Sequence, residues 1–266
     1  MNSYLKYILK SHRGFLIFVL VFVPLIQFLL IDVFTGLETK PFLDSIMKMM
    51  PPQFKMIIGD QFFSSLSVEG AAGFGLNHPV VLTLIIILIT VITSKHIAGA
   101  IENGTMEMLL SLPVRRTSLI LRLWVISALI IVVIVVFALI GLYTGVVIYD
   151  KINAQFIDKV LRIGLNLFFL MLVIMSFSLM ISSFMKESGK TSSLSAIVIL
   201  IFYFVDMLSS LWKPLEFFKP FNVFYYYQPQ KLITGQRTLI ENLPVLFSLS
   251  IIFLLISLWK FRKRDI

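Results

Sequence analysis

Pro79-Val80-Val81-Leu82-Thr83-Leu84-Ile85-Ile86-Ile87-Leu88-Ile89-Thr90-Val91-Ile92-Thr93-Ser94-Lys95-His96-Ile97 decides the fold. Its unbroken apolar run carries ionisable side chains only at the far end. A helix needs about 20 such residues to cross a hydrocarbon core of roughly 30 Å. Working outward, five more segments match it: residues 15–34, 118–148, 160–184, 194–211 and 243–259. Pro24 falls inside the first of these, where a membrane helix accommodates it as a kink. The third span, 118–148, is long enough to tilt or to project beyond the bilayer. In lipid, every backbone amide must be paired within its own segment, which leaves helices as the way to satisfy these runs. The expectation is an all-α integral membrane protein: six transmembrane helices in a single domain over residues 1–266.

Composition agrees. Hydrophobic residues make up 58% of the chain and charged residues 14%, whereas a soluble domain is about half apolar and a quarter charged. The absence of cysteine excludes disulfides and thiolate metal sites. The run after Lys10 and Arg13 is longer than a signal-peptide core and no small-x-small cleavage site follows it, so a cleaved signal is not expected. The connections are unequal. Residues 35–78 form a long loop with Pro51-Pro52 and glycines at 70, 73 and 75. Residues 98–117 are intermediate, and 149–159 and 185–193 are short. Residues 212–242 are long and aromatic, including Phe217, Phe218, Tyr225 and Tyr226. Such rings favour the headgroup level; a packed external cap explains them equally well. None of these loops is large enough to carry an enzyme.

Charge sets the orientation. With the N-terminus inside, the inner segments hold 13 of the 23 Lys and Arg residues against four acids, Glu102, Glu107, Glu187 and Asp265. The outer segments hold equal numbers of bases and acids. Both termini are therefore expected in the cytoplasm of a multi-pass plasma-membrane protein. The net +9 is a topology signal, which argues against nucleic acid as a partner. Over residues 1–14, Leu5, Ile8, Leu9 and His12 share one helical face and Lys6, Lys10 and Arg13 another, the pattern of a helix lying in the membrane interface. The competing reading makes this segment an extension of the first span.

The loop after the second span reads Glu102-Asn103-Gly104-Thr105-Met106-Glu107-Met108-Leu109-Leu110-Ser111-Leu112-Pro113-Val114-Arg115-Arg116. Asn103 or Thr105 can cap a helix start, and Glu102 and Glu107 complement its dipole. Met106, Leu109, Leu110 and Pro113 form an apolar stripe, and Pro113 ends the element. Over about 102–113 this predicts a short amphipathic helix, lying on lipid or docking on a partner.

This run resembles the signature of type-2 ATP-binding-cassette (ABC) exporter permeases, a stretch like E-x-G-T-x-E-x-L-L-x-x-P-V-x-R after the second span. The layout is also similar: an N-terminal interfacial helix, six spans, a long first external loop with a Met49-Met50-Pro51-Pro52 turn, and a short basic tail. The resemblance implies that the loop is a coupling helix seated in a groove of a separate ATPase subunit. By likeness, Glu102, Gly104, Thr105, Glu107, Leu109, Leu110, Pro113 and Arg115 form the docking surface. It further implies two ATPase copies per complex, with ATP and Mg bound there and no cofactor in this chain. A second permease chain, the same or related, would complete the pathway, and export is the implied direction.

Other motifs do not compete with this one. Glu187-Ser188-Gly189-Lys190-Thr191 ends like a phosphate-binding loop, but Phe184 stands where its first glycine belongs and an apolar span precedes it. Gly141-x-x-x-Gly145 suits close helix packing, within the chain or in a dimer. Lys95, His96, Arg162 and Asp206 fall near span ends, so no proton relay is expected. His12, His78 and His96 are too scattered in sequence to suggest a metal site. No hydrolase motif occurs. Two alternatives stay open: an ion-driven secondary transporter, which calls for intramembrane carboxylates and broken helices, and an ABC-type scaffold passing force to an external partner.

Overall fold

The computed structural model describes residues 2–36, 49, 68–111, 115–148, 154–209, 212–233, 235 and 237–264. Its elements in order are α1 (Asn2–Gly36), α2 (Val68–Leu76), α3 (Pro79–His96), α4 (Ala98–Glu102), α5 (Thr105–Leu110), α6 (Arg116–Ile148), α7 (Ala154–Phe184), α8 (Ser188–Ser209), two 3-10 segments (Lys213–Phe221 and Val223–Tyr226), α9 (Pro229–Ile233) and α10 (Leu239–Arg262). Among the described residues, six helical stretches are long and apolar enough to cross a membrane, those of α1, α2–α4, α6, α7, α8 and α10.

These six helices cover the apolar segments read from the sequence, but several begin earlier. Helix α7 starts at Ala154, not 160, and α8 at Ser188, not 194. Helix α10 starts at Leu239, not 243. Polar first turns can be helical outside hydrocarbon: Arg162 pairs with Asp158 at 2.7 Å one turn away, both exposed. Residues 1–14 and 15–34, expected as an interfacial helix and a separate span, are continuous in α1. No proline interrupts the chain before Pro24, and one face of the N-terminal turns is already committed: Ile8 and His12 are buried.

Helix α7 is the hub, packing against α10, α3, α6, α8 and α9. Lipid tails are as apolar as leucine, so the bundle is held by close packing and polar contacts. Helix α7 supplies both. Ser178 Oγ lies 2.7 Å from Thr93 Oγ1 of α3, Ser183 Oγ lies 2.6 Å from Ser257 Oγ of α10, and Trp124 Nε1 of α6 donates to Ser176 Oγ at 2.9 Å. Helix α1 packs along α6. There Gly141 meets the Pro24 backbone and Gly145 meets Ile31. The glycine pair therefore serves packing within the chain.

The described residues of the two expected external loops form a cap. Helix α2 lies within 35–78, and the 3-10 segments, α9 and the first turn of α10 lie within 212–242. The cap is sewn by contacts remote in sequence: Tyr227 Oη donates to the Leu76 carbonyl at 2.9 Å, Asn222 Nδ2 to Phe202 O at 2.6 Å, and Asn166 Nδ2 to Tyr226 O at 3.2 Å. Arg237 lies 4.3 Å over the Tyr225 ring and donates to its carbonyl. Burial, with Arg237 and Lys219 nearby, pushes the Lys231 ammonium below its ordinary pKa. The Pro51-Pro52 turn lies outside the described residues.

Candidate functional site

The segment after the second span is two short helices, where the sequence suggested one over 102–113. Helix α3 ends at His96, Ile97 turns the chain, and α4 runs Ala98–Glu102. Asn103 and Gly104 close α4 with N–H bonds to Gly99 O (3.0 Å) and Ile101 O (3.1 Å). Gly104 then takes φ 69°, ψ −2°. That left-handed geometry costs a residue with a Cβ about 1 kcal/mol or more, so glycine is the residue that lets the chain turn into α5.

The expected caps behave differently. Gly104, not Asn103 or Thr105, is the N-cap of α5, and no side chain caps there. The Thr105 hydroxyl points backward and donates to Ala100 O at 3.0 Å, satisfying a carbonyl that the end of α4 leaves unpaired. Met106 is 1% exposed and anchors α5 on the bundle, and Leu110 packs on the same core. Leu109 is half-buried, while Thr105, Glu107 and Arg115 are exposed. Pro113 lies outside the described residues. Met108 is 72% exposed and was missed in the sequence. Two residues advance a helix by about 200°, so a buried Met106 turns Met108 outward beside Glu107.

Glu102, assigned by likeness to the docking surface, has an internal partner. Its Oε2 accepts the Ser188 N–H at 2.8 Å. That amide is one of the four unpaired donors opening α8, and a carboxylate also complements the helix dipole there. Beneath it, Gly99 abuts Ser188: a Cβ on Gly99 would come 3.1 Å from Ser188 Cβ. The α4–α5 unit is therefore fixed to the start of α8, the helix that opens directly at the phosphate-loop lookalike. Lys190 of that stretch pairs with Glu187 at 2.7 Å.

The basic tail closes the same end of the bundle. Arg264 is 8% exposed, and its guanidinium donates to Ser183 O (2.8 Å) and Met185 O (2.9 Å) at the end of α7. Arg116, opening α6, donates to the Arg264 carbonyl. His12 and His96, scattered in sequence, meet here edge to face with ring centres 5.3 Å apart.

The described residues thus form six helices of membrane-spanning length and composition, with a two-helix elbow bonded to the start of α8. The family profile described as ABC-2 family transporter protein matches residues 5–266, and the chain belongs to that family. It is thus a permease subunit of an ABC transporter, a class that works with ATPase subunits. No curated protein matches the chain.

Proposed function

We propose that this chain forms half of the pathway of an ATP-driven exporter in the plasma membrane. Both termini face the cytoplasm, and α4–α5 is the element on which a separate ATPase subunit docks. Two ATPase copies supply ATP, Mg and hydrolysis, and a second permease chain supplies the other half of the pathway. Helix α8 leaves Ile197, Ile201, Phe204 and Leu208 exposed along one face, available to lipid or to that second chain.

The observation that supports this reading is the outward face of α5. Thr105, Glu107 and Met108 project from a helix held down by Met106, with Arg115 exposed where the chain returns to the membrane. The unit is short and pinned at both ends, so it moves as a lever and not as a loose loop. Closure of the ATPase pair would displace α5, and the Glu102–Ser188 bond and the Gly99 contact would pass the displacement to α8. That motion biases the bundle between inward- and outward-facing packings.

Co-purification with a cassette ATPase tests the docking surface. Glu107→Lys reverses an exposed charge at its centre, and Gly104→Trp forces a bulky residue into the left-handed turn. Each is expected to weaken the complex at least about tenfold, equivalent to 1.4 kcal/mol. A complex of unchanged yield and ATPase rate with both variants would remove the docking assignment.

Glu102→Ala should separate docking from transmission. The complex is expected to form normally, because the carboxylate faces α8. Loss of a helix cap costs about 1 kcal/mol, so transport per ATP hydrolysed should fall about fivefold. If complex formation falls in parallel with transport, Glu102 belongs to the docking surface after all.

A further inference from the structure

Between the N-terminal turns of α1 and the α4–α5 elbow lies a cavity of about 840 Å³, lined by Tyr4, Tyr7, Lys95, His96, Ala100 and Met108, among others. We propose that it binds a phospholipid with an anionic headgroup, drawn from the leaflet at this end of the bundle.

Three observations carry the assignment. The first is depth. Helix α3 spans 18 residues, Pro79–His96, about 27 Å at 1.5 Å per residue, close to the hydrocarbon thickness. Lys95 and His96 at its end therefore stand at headgroup level, and Tyr4 and Tyr7 place apolar rings with polar tips beside them.

The second is charge. Lys95 is exposed, and no Asp or Glu is among the described residues that line the cavity. The carboxylates of the elbow are directed elsewhere, Glu102 to Ser188 and Glu107 out from α5. A cavity offering a lysine ammonium and no competing acid favours a phosphate.

The third is an unmet polar atom. His96 is 6% exposed, its ring is held edge to face by Tyr4, Tyr7 and His12, and its Nε2 has no hydrogen-bond partner among the described residues. A buried imidazole nitrogen left unpaired is costly. A headgroup oxygen or hydroxyl reaching into the cavity would pair it.

Native mass spectrometry of the purified full chain tests this, using phosphatidylglycerol and phosphatidylcholine of identical acyl composition. The parent chain should retain one phosphatidylglycerol at least about fivefold more tightly than phosphatidylcholine, the effect expected of one interfacial cation. Lys95→Gln should abolish that preference, and Ala100→Trp, which fills the cavity without changing charge, should abolish the tight lipid altogether. Lys260→Gln, at a residue that does not line the cavity, should leave both intact. Equal retention of the two lipids by the parent chain would overturn the proposal, as would a preference that survives Lys95→Gln and Ala100→Trp. So would a lipid expelled on adding the ATPase subunit, because the cavity would then belong to that partner. The measurement needs no ATPase for its main result, so it stands or falls independently of the exporter reading.

Discussion

Gly141→Leu should leave almost no folded protein, and Gly141→Ala should cost about 1–3 kcal/mol, the usual range for overpacking a tight interior. The reason is the nature of the neighbour. A Cβ at position 141 would overlap backbone atoms of Pro24, and one at 145 would come 2.9 Å from Ile31 Cβ. Flexible side chains give way to such intrusions; a helix backbone does not, so α1 and α6 would have to separate along their length. Water does not push these helices together inside lipid, and close approach is most of what associates them. Gly14 provides the control, since a Cβ there meets nothing within 4 Å. Gly14→Ala should be neutral or should stabilise the helix by about 0.5–1 kcal/mol. Thermal unfolding of the detergent-solubilised chain, followed by size-exclusion profile, compares the three. Equal melting of Gly141→Ala and the parent protein would remove α1–α6 contact as a source of stability.

The contrast between these two glycines also shows what a sequence can disclose here. Length and hydropathy are local properties, and they pointed to the six long apolar helices of the bundle. The starts of α7, α8 and α10 were placed four to six residues late because hydropathy reports where hydrocarbon begins, and a helix continues into water for as long as its amides are paired. Pairing with Asp158 keeps Arg162 compatible with helix, while Asp158 and Lys159 just before it end the hydropathy signal at 160. A packed cap was one reading of the aromatic segment, but the bonds that order it were not legible, because they join residues such as Tyr227 and Leu76, 151 positions apart.

At the elbow, likeness to a family singled out Glu102 and Gly104 without giving their physical tasks. Gly104 was readable in principle, as a glycine inside a helical pattern marks a break. The Glu102–Ser188 bond was not, because it depends on how α4 meets α8 across 86 positions. Met108 could have been found by placing α5 on a helical wheel once Met106 was taken as the buried side.

Arg264→Ala should destabilise the bundle by on the order of 3 kcal/mol, from the loss of charged hydrogen bonds to buried carbonyls. In the sequence this residue is one of four basic positions near the C-terminal end of α10, and its visible role is to set orientation. The structure gives it a second task. Helix α7 ends with carbonyls that no later turn satisfies, and the planar guanidinium reaches two of them at once, Ser183 O and Met185 O. A cation also complements the negative end of the helix dipole. Lysine carries the charge but not the fork, so Arg264→Lys should recover part of the loss. Arg262, exposed on the same tail, shares the topology signal and makes no such bond among the described residues, so Arg262→Ala should melt like the parent. Amide exchange over residues 183–190 adds a local readout: it should accelerate in Arg264→Ala, because that arginine secures the joint through which α7 passes into α8. Identical melting and exchange in Arg264→Ala and Arg262→Ala would reduce Arg264 to one more positive charge.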